Sequence, residues 1–173
     1  MNGICGVRRC MVTLRFVRDE LLYDIKNYCY VEGDTMERGD EHAKHQVFDV
    51  GETGNIDLVT RKLDVSFWKC VDLCYPYTKR ALCHDMSREN ELEEDDEYVM
   101  RMSVPPGFSE TTVEYLTKLI HELMVYMVMA YWMSITKPES TETWQKKAES
   151  AEHEILTTLN NRIGRVRRTL SPF

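Results

Sequence analysis

The sequence predicts a mainly α fold: a helical bundle of about four helices, with one or two short β-strands and long charged loops. Three observations lead there. Apolar residues recur at steps of three and four over four long segments. Two short segments alternate apolar with polar residues. The stretches between them hold more Gly and charge than apolar side chain. At 173 residues, with 43% apolar and 29% charged, the chain is of one-domain size and has enough apolar material for a core. That composition excludes disorder throughout. With 8 Gly and 5 Pro it is neither collagen-like nor low-complexity, and a net charge of −7 argues against nucleic-acid binding by the whole chain.

Residues 1–10 read as an appendage, with Met11 an alternative start. Two Arg there are followed by no apolar run, so no signal peptide is predicted. In residues 11–16, Val12, Leu14 and Phe16 alternate with Thr13 and Arg15, which predicts a strand. A helix follows. Asp19 and Glu20 suit its first turn, where the backbone dipole favours anions. Leu21, Ile25, Tyr28 and Cys29 share one face, and Gly33 and Asp34 end it. Residues 33–56 contain four Gly and many charges and read as a loop, with a short turn near 46–50.

The second helix is expected over 57–75, capped by Asp57. Val59, Leu63, Phe67, Cys70 and Cys74 form its stripe, widened by Trp68 and Val71, and Pro76 ends it. Residues 89–97 carry seven carboxylates, a solvated loop or a docking surface for a basic partner. Tyr98, Met100, Met102 and Val104 alternate with Val99, Arg101 and Ser103, a second strand stopped by Pro105-Pro106-Gly107. Two strands make a weak isolated sheet, so pairing between adjacent subunits is expected to complete it.

Ser109 caps the longest helix, 110–135, which spans ~39 Å at 1.5 Å per residue. Val113, Leu116, Ile120, Leu123, Met127 and Tyr131 define its core face, broadened by Met124, Val128 and Trp132. Its second half is apolar nearly all round, so neighbouring subunits are expected to cover part of it. Its uninterrupted greasy run is too short for a membrane span, and no membrane partner is predicted. Pro138 opens a last helix, striped by Trp144, Ala148, Ala151, Ile155, Leu159 and Ile163. The short join predicts an antiparallel hairpin. The helical domain thus covers 11–161. Residues 162–173 form a basic tail with four Arg and no acid, a charge of +4 against −11 for residues 1–161. An acidic body with a basic tail suits head-to-tail association with copies or with an acidic partner.

The chemistry-bearing residues point away from catalysis. None of the G-x-S-x-G, P-loop, dinucleotide-fingerprint or H-E-x-x-H patterns occurs; His121-Glu122 begins the last, but position 125 is Val. His121 reads as a hydrogen-bonded, partly buried histidine and His153 as solvated. Of the six Cys, Cys70 and Cys74 share a helix face and read as small buried hydrophobes. His42 and His45 with Cys83 and His84 match no zinc spacing. The chain is therefore read as a non-enzyme with no cofactor and no metal.

Certain stretches carry a resemblance. They are the helix RDELLYDIKNYCYVEGD, the ending CVDLCYPYTK, the ending MAYWMSITKP, the segment WQKKAESAEHEI and the terminus RIGRVRRTLSPF. The chain resembles small structural proteins from tail-assembly gene neighbourhoods of Bacteroides phages and prophages. In layout it is similar to phage head–tail connector (adaptor) proteins, small helical subunits that form a ring beneath the portal. The resemblance implies a virion protein of the neck, made in the host cytoplasm and partnered by copies of itself, by portal and by other neck or tail proteins, with non-specific proximity to DNA in the channel. On that reading Arg165, Arg167, Arg168 and Phe173 of the tail, with Met124 and Trp132 of the long helix, form the assembly interface. The alternative is a cytoplasmic helical adaptor or regulator that binds one protein partner.

Overall fold

The computed structural model describes residues 9–36, 41–80 and 96–161. The chain is mostly helical, with a two-stranded antiparallel sheet. In order come β1 (Cys10–Val17), α1 (Arg18–Asp34), α2 (Glu41–Phe48), a 3₁₀ turn (Asp49–Gly51), α3 (Thr53–Leu73), α4 (Tyr75–Thr78), β2 (Glu97–Val104), α5 (Glu110–Thr136) and α6 (Pro138–Asn161). Six α-helices are present among the described residues, where about four were expected. Four of them exceed sixteen residues.

Both strands lie where alternation placed them, but they pair with each other inside one chain. Phe16 stands opposite Tyr98 and Leu14 opposite Met100, and all four are buried. Helices cover one face of the sheet. Phe67 of α3 meets the Tyr98 ring at 5.2 Å, and the Tyr98 hydroxyl donates to Asp64 Oδ1 at 2.7 Å. On the open face Arg15 and Glu97 pair at 2.8 Å, an exposed contact that contributes little.

Residues 33–56 correct the loop expectation. Residues 41–51 are helical, because Val47 and Val50 supply two fully buried anchors that a composition reading misses. α3 then begins at Thr53, so Asp57 lies inside the helix and does not cap it. Trp68 was expected to widen the buried stripe of α3. It is instead exposed, since its side chain lies on the far side of the helix from Leu63 and Cys70. Pro76 sits in the first turn of α4, where a missing N–H costs nothing.

Ser109 caps α5 through its side chain, accepting from the Thr112 N–H at 3.2 Å. Length and apolarity alone would let this 27-residue helix cross a bilayer, but half of its most apolar 18-residue stretch is buried inside the fold. α6 lies antiparallel beside it: Tyr126 neighbours Trp144, and Tyr115 donates to Glu154. α1, α2 and α3 close the remaining sides. Leu116, Ile120, Leu123, Met124, Val128, Met129 and Met133 are all at most 1% exposed. This chain alone thus covers only part of the apolar circumference of α5: Met127, Ala130 and Tyr131 are half-buried and Ile135 is 55% exposed.

Candidate functional site

Of the residues assigned to an assembly interface, Met124 and Trp132 are interior. Met124 has no exposed surface, and Trp132 is buried with its indole N–H donating to the Val47 carbonyl of α2 at 3.1 Å. Trp132 lies against α2, which is unforeseen in the sequence, and Met124 is enclosed within the core. Arg165, Arg167, Arg168 and Phe173 lie outside the described residues. So does the acidic run, apart from Asp96 and Glu97, and so do Cys83 and His84. His42 and His45 lie on α2, and His42 is 3.4 Å from Gln46. Among the described residues no three His, Cys, Asp or Glu side chains converge as a metal site.

α1 and α5 diverge toward the sheet and leave an open cleft of about 660 Å³. His121 of α5 and Asp24 of α1 meet across it, Nε2 to Oδ2 2.8 Å. The pair joins residues 97 apart, and His121 is partly buried, as its place on α5 predicts. A carboxylate on an imidazole orients the ring, as in nucleophile–base–acid arrays. Asp24 is nonetheless the one hydrogen-bond partner of the His121 side chain among the described residues. The nearest hydroxyl on its own helix, Thr117, donates to the Val113 carbonyl at 2.8 Å. As arranged, the pair ties two helices together.

One wall of the cleft is an aromatic cluster. Tyr28, Tyr126 and Trp144 bring α1, α5 and α6 together with centroid separations of 5.0–6.3 Å. The Lys147 ammonium lies 3.8 Å from the Trp144 ring centre and about 6 Å from the other two, a cation–π arrangement. Burial, with the Glu122 charge, pushes the Tyr126 phenol up to about 12, so it stays a neutral donor.

The densest polar junction lies at the other end of α1. Glu32 accepts from Lys137 Nζ at 2.8 Å, Ser140 Oγ at 3.0 Å and Trp144 Nε1 at 2.9 Å. Burial opposes ionisation of Glu32, but these three donors and the Lys137 charge outweigh it and hold its carboxyl below the usual range. The join between α5 and α6 is thereby clamped to α1. Pattern reading found Pro138 and Trp144 but had no means of pairing either neighbourhood with a residue more than a hundred positions away.

The cysteines behave as small apolar side chains. Cys29, Cys70 and Cys74 are fully buried. Burial pushes the Cys29 and Cys74 thiols up to about 12 and raises Cys70 as well, so none is a nucleophile near neutral pH. The Cys29 thiol lies 3.7 Å from the Met129 sulfur.

With the core closed, the outward face of α3 stands out. Leu58, Val65 and Trp68, with Tyr75 just beyond the helix, are all exposed. Compared with protein-family models, with curated proteins and with solved structures, the chain matches none.

Proposed function

We propose that this protein is a non-catalytic helical adaptor that docks protein against the outward face of α3, its four long helices acting as the bundle that holds that face in place. One observation carries this reading. The fold seals its own core, yet it leaves Leu58, Val65, Trp68 and Tyr75 in line on one side. Large apolar side chains gathered on an outer face mark a docking surface more often than scattered ones do. The outer face of α1 also exposes Tyr23, Tyr30 and Val31, a shorter row than the four on the α3 side.

The test is site-specific photo-crosslinking in the producing cell. A benzophenone side chain at position 68 or 75 should give protein adducts, and one at Thr143, exposed on α6, should not. No adduct from either α3 position would overturn the reading.

The head–tail connector implied by the resemblance is the second reading. The charge split between body and tail favours it, since a ring needs one patch to meet a different one. Deleting residues 162–173 should then abolish ring or particle assembly while the helical domain stays folded. Normal assembly of the truncated protein would remove it.

A further inference from the structure

We propose that the docking partner of α3 is the α3 of a second copy, packed antiparallel about a two-fold axis. This rests on reading that face as a docking surface, and it adds the identity of the occupant. Leu58, Arg61, Val65, Trp68, Asp72 and Tyr75 follow one another at steps of three and four, the spacing of a helix–helix seam. All six are exposed; the apolar four are 38%, 62%, 63% and 52% exposed. Within α3, from Leu58 to Asp72, the seam runs ~21 Å at 1.5 Å per residue. α3 ends at Leu73, and Tyr75 stands just past the Cys74 turn at the seam's end.

The order of side chains selects the occupant. Laid antiparallel on itself about the midpoint between Ser66 and Phe67, the seam is self-complementary. Leu58 faces Tyr75 of the second copy, Val65 faces Trp68, and Arg61 faces Asp72. Symmetry makes each of these contacts twice. The Arg61 and Asp72 side chains form no ion pair or hydrogen bond among the described residues, so both are available. A charged layer within an apolar seam fixes register and orientation. In a parallel pairing Arg61 would face Arg61 and Asp72 would face Asp72. The flanking lysines have partners in their own chain: Lys69 pairs with Glu152 at 2.8 Å, and Lys62 lies 5.2 Å from the Tyr131 ring centre.

Sedimentation of the full chain across a wide concentration range tests this. A monomer–dimer equilibrium is expected. Arg61→Asp and Asp72→Arg should each weaken it by about tenfold or more, since two attractive pairs become repulsive. The double swap Arg61→Asp with Asp72→Arg should restore it. Trp68→Ala should weaken the dimer with an unchanged far-UV spectrum, because the side chain lies outside the core. A monomer at every concentration would overturn the proposal. So would a dimer indifferent to these substitutions, or a double swap that fails to restore association. Crosslinks from position 68 separate the two levels. Self-adducts support the pairing, and adducts only to a different protein overturn it while leaving the adaptor reading standing.

Discussion

Glu32 carries the strongest residue-scale expectation. Three donors converge on one carboxylate that is mostly shielded from water. Glu32→Ala should cost roughly 1–3 kcal/mol, because Lys137 and Trp144 lose a charged acceptor; urea denaturation at neutral pH measures it. The lowered carboxyl also sets a sign with pH. A group whose folded value lies below its unfolded value of ~4.3 stabilises the fold fully above that value. The contribution is lost as pH falls below about 5 and through the folded value. Wild type should therefore lose stability on acidification more steeply than Glu32→Gln, and equal slopes would show that the clamp does not titrate. The cysteines give a second check. Mapped maleimide labelling of the native chain should modify Cys10 and leave Cys29, Cys70 and Cys74 intact until denaturant is added. The burial of Cys70 and Cys74 was readable from their four-residue spacing. The Glu32 clamp was not, since its donors come from the far end of the chain and carry no local signature.

The two faces of helical stripes separate at the scale of elements. Met124→Ala should cost about 2–5 kcal/mol by leaving a core cavity, without altering self-association beyond that loss. Trp68→Ala should change the stability of the dilute monomer by no more than about 0.5 kcal/mol. Paired denaturation and sedimentation of both variants would reverse this assignment if Trp68→Ala proved the costlier to folding. Periodicity placed α1, α5 and α6 well. The Ser109 cap and Pro138 marked boundaries because each acts through its own backbone neighbours. α2 escaped because eight residues with a single fully buried side chain show too little period to detect. Trp68 misled for a related reason: an aromatic residue beside a buried stripe reads as part of it until the opposite face is known to have no covering element.

For the whole molecule, the sheet joins segments eighty or more positions apart and packs against α3. Amides of Leu14, Phe16 and Met100 should therefore exchange with solvent as slowly as the interior amides of α5, in one cooperative unit. Fast exchange in the strands beside a protected α5 would show that the sheet opens by itself. The sequence alone determined that the chain is mainly helical, most of the residues of each long helix that avoid water, and where two short strands lie. Only the tertiary structure decided that its own chain buries half of the most apolar stretch of α5 and that the strands pair with each other. It also decided that α3 keeps an apolar line in water. Spacing along a chain reports that a side chain leaves water, through the geometry of one helix or strand. What it packs against depends on how distant elements come together, and no local period encodes that.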